Sequence, residues 1–164
     1  MTINLAPDYS GALFSPGSSG IGDVARRLSE WLAEIRNGLD ATVSLGNVRQ
    51  AASRRLYEIR EECGRSDWDG YGARAVSFRT YEKAKQFIGA LPWGVAVPEI
   101  SADPDGEISF EWYSAPSKVF SVSIGPTNEL SYAGLFGASR THGTEIFHDE
   151  IPQIVFSHIR RALS

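Results

Sequence analysis

The stretch DGEISFEWYSAPSKVFSVSIG (Asp105–Gly125) decides the fold of this 164-residue chain. Apolar residues occupy every second position in each of its two halves: Ile108, Phe110 and Trp112, then Phe120, Val122 and Ile124. A period of two residues is typical of a β-strand with one buried face. Two such segments joined by a short turn predict neighbouring antiparallel strands.

Further segments extend this pattern into a meander. PEISA and the turn Asp103-Pro-Asp-Gly106 predict a strand ahead of the central pair, and Pro98 places that strand at an edge of the sheet. ELSYAGLF (Glu129–Phe136) and GTEIFH (Gly143–His148) follow as further strands. Strands linked by short turns exclude a parallel doubly wound sheet.

Helices are predicted on both sides of the meander. Residues 21–39 and 48–63 repeat apolar side chains at three- and four-residue steps, as amphipathic helices do. Ser77 is the expected N-cap of a helix over Phe78–Leu91, and Ile151–Leu163 form the last helix. The predicted fold class is therefore α+β in two layers. It comprises N-terminal helices, a four- to five-stranded antiparallel meander whose apolar face is covered by the third and last helices, and a C-terminal helix.

Three segments are expected along the chain. Residues 1–20 are rich in Gly, Ser and Pro and are expected to form a flexible tail. Residues 21–64 are expected to form a helical hairpin or arm, and residues 65–164 form the α+β domain. A helical pair appended to a compact sheet domain has spare apolar surface, so a homodimer through residues 21–64 is one expected arrangement.

The composition is that of an ordinary soluble globular protein, with 42% apolar and 22% charged residues. No apolar run approaches the roughly 20 residues needed to span a bilayer, and the first residues lack the pattern of a signal peptide. The single cysteine, Cys63, fits a reducing compartment and rules out an internal disulfide framework. We therefore expect a cytoplasmic protein with no membrane segment.

Charge is unevenly distributed. Residues 21–90 contain 12 basic and 10 acidic residues, whereas residues 91–150 contain only Lys118 and Arg140 against nine acidic residues. An acidic surface repels phosphate backbones and suits a basic partner, although acidity also serves solubility alone. The expected partner is therefore another protein, of basic character.

A second unusual stretch is SDWDGYGA (Ser66–Ala73), which we name the aspartate loop. Its Asp-x-Asp-Gly resembles part of a calcium loop. However, Arg65 and Val76 would fall at the first and twelfth ligand positions, where an EF-hand has acidic residues. A pair of catalytic carboxylates, Asp67 and Asp69, is a second interpretation.

A structural role for the aspartate loop is the interpretation we favour. Its glycines allow positive φ, its Trp and Tyr rings can lie beneath the turn, and its carboxylates can accept backbone N–H groups near a helix start. The residues of this structural motif are Trp68, Asp69, Gly70, Tyr71 and Gly72.

Motifs for metal, cofactor and nucleophilic chemistry are not recognisable. His142, His148 and His158 form no zinc-binding pattern, and neither a phosphate-binding glycine loop nor a nucleophile elbow occurs. No catalytic residue, metal or cofactor is therefore assigned. The alternative that remains is a small hydrolase or transferase whose cleft lies beside Asp67 and Asp69 and uses one of the first two histidines.

Four arginines on the second predicted helix raise the question of nucleic-acid binding: Arg49, Arg54, Arg55 and Arg60. Such a helix could lie on a phosphate backbone. The sequence pI of 5.4 and the interleaved Glu58, Glu61 and Glu62 favour a solvated face with intrahelical ion pairs. Nucleic-acid binding is therefore not expected.

Several short motifs follow one another in a fixed order: WDGYGA (Trp68–Ala73), LP (Leu91-Pro92), PEI (Pro98–Ile100), DGEISFEW (Asp105–Trp112) and IPQI (Ile151–Ile154). This order resembles a family of short bacterial proteins of unknown function, over roughly residues 66–160. The resemblance implies a bacterial cytoplasmic protein and carries no catalytic residues.

These observations predict a non-enzymatic protein-binding module, as an antitoxin, an immunity protein or a defence-related accessory protein would be. Its partner surface is expected on the solvent face of the meander and its acidic turn, at Asp105, Glu107, Glu111 and Tyr113.

Overall fold

A computed structural model describes residues 49–164 and, ahead of them, only Arg26, Glu30 and Leu32, which lie in helical backbone with exposed side chains. The tail expected over residues 1–20 lies outside the described residues. So does the helix expected over residues 21–39, apart from those three positions. The hairpin and the dimer contact expected through residues 21–64 therefore stay predictions.

Residues 49–164 contain three helices and five strands. Helix α1 includes residues 49–63, α2 is Phe78–Ala90 and α3 is Gln153–Leu163. The strands are β1 (Glu99–Ala102), β2 (Ile108–Ala115), β3 (Lys118–Ile124), β4 (Glu129–Phe136) and β5 (Ser139–Ile146). They form one sheet in the order β1-β2-β3-β4-β5, and every neighbouring pair is antiparallel. The predicted α+β class, with its antiparallel meander and C-terminal helix, is confirmed.

Alternation along the strands separates a buried inner face of the sheet from an outer face. On β2 and β3, the inner face consists of the residues that define the sequence period, and Phe110 and Trp112 lie opposite Val122 and Phe120. Helices α2 and α3 both contact the sheet, and their side chains Phe87, Val155 and Ile159 are fully buried in the same core. The two helices therefore cover the inner face, as alternation of this kind predicts.

Helix α1 belongs to this core as well. Its buried side chains Ala52, Leu56, Ile59 and Cys63 lie in the same apolar cluster as the sheet and the other helices. The core therefore continues across residue 64, where the sequence suggested the end of a separate helical segment.

Two element boundaries differ from expectation. Strand β5 begins at Ser139, four residues before the predicted GTEIFH strand, because the two-residue turn after Phe136 sends the chain directly back along β4. Its first residues are polar, so they give no apolar alternation. Helix α3 begins at Gln153, two residues after the predicted start at Ile151, and Pro152 is its N-cap without a side-chain hydrogen bond.

Candidate functional site

The aspartate loop is a closed turn held by its own backbone. The Asp67 N–H donates to the Ala73 carbonyl at 2.7 Å, and the Gly70 N–H donates to the Asp67 carbonyl at 3.1 Å. Asp67, Gly70 and Gly72 all have positive φ, at 62°, 73° and 91°. Glycine adopts this backbone region without steric cost, and aspartate is among the few other residues that enter it, so this sequence suits this turn.

Both carboxylates of the loop accept backbone amides. Asp67 Oδ1 accepts from the Gly72 N–H at 2.8 Å. Asp69 Oδ1 accepts from the Tyr71 N–H at 2.8 Å and the Ala73 N–H at 3.1 Å. The amide of Tyr71 is the main cause that lowers the pKa of Asp69 below its ordinary value, because it stabilises the charged form. These carboxylates therefore serve the turn as hydrogen-bond acceptors.

Replacing Asp69 by Asn is expected to weaken the fold most at neutral pH. The folded-state pKa of Asp69 lies below its unfolded value, so its ionised form contributes stability above the unfolded pKa, which is about 4. That contribution disappears as the pH falls through the folded pKa. Urea unfolding midpoints at pH 7, 5, 3 and 2 should show the gap between wild type and Asp69→Asn closing on acidification. A gap that does not change with pH would contradict this role.

The two aromatic side chains of the loop differ in position. The Trp68 ring packs against the core, and its Nε1–H donates to the Arg74 carbonyl at 3.0 Å. The Tyr71 side chain is 94% exposed. The expectation that both rings lie beneath the turn is therefore wrong for Tyr71, because the positive-φ backbone on either side of it directs the side chain into solvent at the tip.

The two residues that follow the aspartate loop, Arg74 and Ala75, fix the turn between β1 and β2. The Arg74 N–H donates to the Pro104 carbonyl at 2.8 Å. Gly106 has φ of 85°, and a Cβ atom there would lie 2.8 Å from the Ala75 carbonyl oxygen. Only glycine fits this close approach, so the acidic turn carrying Asp105 is held in one place.

The outer face of the sheet contains the other candidate residues. Glu111 and Tyr113 project from β2 with exposed side chains, and Asp105 is exposed in the adjoining turn. The Glu107 side chain is half-buried, so it is less accessible to a partner than expected. The structure adds Glu99, which lies directly opposite Glu111 in the β1–β2 register.

Glu99 was missed because pairing between strands depends on register, which a single segment does not reveal. The only signal available was its position in PEISA, where it alternates with the apolar Ile100. Like charges directly opposite each other across two strands destabilise a sheet. The Glu99–Glu111 pair is therefore expected to lower the stability of the sheet.

Acidic side chains concentrate at the turn end of the outer face. Burial raises the pKa of Glu107 above its ordinary value, and the nearby charges of Asp105, Asp103 and Glu129 raise it further. The Asp103 carboxylate accepts hydrogen bonds from the hydroxyls of Ser109 and, at 3.3 Å, Ser123. This end of the sheet is therefore a region of mutually repelling negative charge.

A row of hydroxyl side chains crosses the outer face near its acidic end, one on each strand. The register aligns Ser101, Ser109, Ser123, Ser131 and Thr144. Within the row, the hydroxyls of Ser109 and Ser123 lie 2.8 Å apart. Beside it is a shallow groove of about 440 Å³, lined by Val119, Ser121, Ala133, Gly134, Leu135, Arg140, Thr141 and His142. Short side chains thus leave the middle of this face open to close approach.

The groove on the outer face does not bring together the groups proposed for the enzymatic alternative. His142 lies on β5 and lines the groove, whose lining does not include Asp67, Asp69 or His148. Cys63 is buried in the core, and burial raises the pKa of its thiol. Over residues 49–164, no three His, Cys, Asp or Glu side chains are grouped so that they could hold a metal ion.

Comparisons with known proteins give no match to a family model, a curated protein or a solved structure. The family resemblance of the motifs therefore stays an expectation. In the described part of the chain, every helix is too short or too polar to cross a membrane.

Proposed function

We propose that this protein is a bacterial, cytoplasmic, non-enzymatic protein-binding module that receives a basic protein on the outer face of its sheet. An antitoxin, an immunity protein or a defence-related accessory protein would work in this way. The Glu99–Glu111 pair is the observation that carries the proposal. A basic side chain placed between these carboxylates would convert a repulsive contact into an attractive one.

The surroundings of this pair suit a protein partner. Tyr113 is 58% exposed on the same face of β2, and a tyrosine ring offers rigid contact area with a polar tip. The acidic turn with Asp105 and Glu107 lies at the other end of the same strand, where its charge would steer a basic partner towards the face. Within residues 49–164, the helices cover the inner face and leave this one uncovered.

The helical side of the molecule gives little support for a nucleic-acid partner. Arg55 forms ion pairs with Glu58 at 3.4 Å and Glu62 at 3.6 Å. The Arg49 guanidinium stacks on Trp93 at 4.2 Å, and that of Arg60 lies 5.4 Å from both the Phe78 and Tyr81 rings. Three of the four arginines considered for phosphate binding thus have intramolecular contacts.

Reversing the charge of the Glu99–Glu111 pair should abolish salt-sensitive capture of the partner. The full-length protein is immobilised as bait, as wild type and as the double variant Glu99→Lys/Glu111→Lys, and is incubated with a bacterial lysate. Polypeptides retained by wild type at low salt should be basic, and the variant should retain at least about tenfold less of them because attraction becomes repulsion. High salt should lower capture by wild type. Quantitative mass spectrometry of the eluates provides the measurement.

The matched control changes the same number of charges on the helical side. Glu61→Lys/Glu82→Lys alters exposed positions of α1 and α2, and this variant should capture the same polypeptides as wild type. Circular dichroism confirms that all three proteins are folded. If both double variants lose capture equally, only net charge matters and the outer face is not the site. Undiminished capture by Glu99→Lys/Glu111→Lys would also show that the outer face is not the site.

A further inference from the structure

The two edges of the sheet differ in how they are protected. At the first edge, β1 has four residues, and the Arg55 Nε–H of helix α1 donates to the Ile100 carbonyl at 3.3 Å. Pro98 immediately precedes this strand and has no N–H to offer a partner strand. Strand β1 is thus short and partly covered, as protected edges usually are.

Strand β5, at the opposite edge, lacks these protections. It has eight residues that pair with β4 in unbroken register, and it contains neither proline nor lysine. Of the elements described in residues 49–164, only β4 pairs with it. Long, regular edge strands without such features are templates for another strand.

The hairpin geometry shows which backbone groups face outwards. A two-residue turn, with Gly137 at φ of 66°, makes Phe136 and Ser139 the closing hydrogen-bonded pair. Hydrogen-bonded and non-bonded pairs alternate along an antiparallel ladder. The N–H and C=O groups of Arg140, His142 and Thr144 therefore point away from β4, towards the open edge.

We propose that a second copy of this chain pairs with this edge, β5 antiparallel to β5, and joins the two sheets into one of ten strands. The twofold axis passes between the Gly143 residues of the two copies. This register places Arg140 opposite Ile146 of the second copy and His142 opposite its Thr144. Outward-facing N–H and C=O groups then meet along the strand, as an antiparallel ladder requires.

The charges at the two ends of β5 favour a second copy of the same strand as its pairing partner. Arg140 lies at the start of β5 on the outer face, while Glu129 lies on the same face beside the end of the strand, opposite its last residue, Ile146. Antiparallel pairing of identical strands brings each basic start beside an acidic end. An unrelated extended segment would match this pattern only by coincidence.

The same register accounts for an exposed apolar side chain. Ile146 is 60% exposed and lies opposite Glu129 in the β4–β5 register, on the outer face. In the dimer, the aliphatic stem of Arg140 covers Ile146 of the second copy, and its guanidinium extends towards that copy's Glu129. An axis perpendicular to the sheet also places the two outer faces on the same side.

The test measures the self-association of the full-length protein by analytical ultracentrifugation. Wild type should sediment as a dimer at micromolar concentration. Thr144→Pro removes an outward N–H from each copy while leaving the β4–β5 bonds in place, and it should raise the dimer dissociation constant at least about tenfold. Thr144→Ala, the matched control, should dimerise like wild type.

A charge swap keeps the test decisive if the proline variant does not fold. Arg140→Glu and Glu129→Arg should each weaken the dimer about fivefold or more, because twofold symmetry repeats the pair, and the double variant should recover most of the loss. A monomeric wild type overturns the proposal. So does a dimer that resists Thr144→Pro and shows no recovery in the charge swap; residues 21–64 would then be the remaining candidate contact.

Discussion

Replacing Phe87 by Ala is expected to lower the free energy of unfolding by about 4 kcal/mol. The Phe87 side chain, on α2, is completely buried. Its ring lies 4.9 Å from that of Phe110 and 5.5 Å from that of Phe147, and 6.5 Å from Trp112. Removing it leaves a cavity among aromatic rings that are themselves buried in the core, so little of the space can be refilled. Urea unfolding at neutral pH, with midpoint and slope both recorded, measures the loss.

Phe78 on the same helix is the matched control for this prediction. It is the same residue type, but its side chain is 61% exposed and contacts mainly Tyr81 and the Arg60 guanidinium. Phe78→Ala should therefore cost less than about 1 kcal/mol. Equal losses in the two variants would mean that α2 is not packed on the inner face as described.

The parts of the fold that the sequence predicted are those whose signal is local. Phe110 and Val122 belong to strands recognisable from alternation alone, and Ser77 caps α2 through a hydrogen bond from the Thr80 N–H to its hydroxyl. The start of β5 was missed because it depends on a tight turn and on pairing with β4, which do not require apolar residues at Ser139 or Arg140.

The candidate site was predicted only in part for a related reason. Glu111 and Tyr113 follow from the alternation of β2, since they fall on the face opposite Phe110. Glu99 becomes their neighbour only through the β1–β2 register, and Glu107 is half-buried because its side chain lies against Gly125. Contacts between strands depend on tertiary pairing, which single-segment periodicity does not encode.

The outer face combines features that stability alone does not favour. Facing carboxylates at Glu99 and Glu111, and a Glu107 whose pKa is raised by burial and by neighbouring acids, all weaken the folded state at neutral pH. The aspartate loop has the opposite character, because its carboxylates accept backbone amides and strengthen the turn. Negative charge thus has a structural role in the loop, and on the outer face it is available to the partner that we propose.

Replacing Trp68 by Ala is expected to lower the free energy of unfolding by about 3 kcal/mol. The Trp68 ring packs against the core from the aspartate loop, and its indole N–H satisfies the Arg74 carbonyl at 3.0 Å. The variant loses both the packing and this hydrogen bond, and the same segment supports the turn through the bond from the Arg74 N–H to Pro104. Loss of the ring should therefore loosen the β1–β2 turn as well as the loop.

Tyr71→Ala is the matched control, because it removes the exposed aromatic side chain of the aspartate loop instead of the packed one. The Tyr71 side chain is 94% exposed, so its removal should change the free energy of unfolding by less than about 0.5 kcal/mol. Urea midpoints of the two variants measure the contrast, and hydrogen exchange of the amides between Asp103 and Glu107 should accelerate only in Trp68→Ala. A Trp68→Ala protein as stable as wild type would show that the ring does not support the fold. The motif would then have to be explained by what its exposed tip contacts.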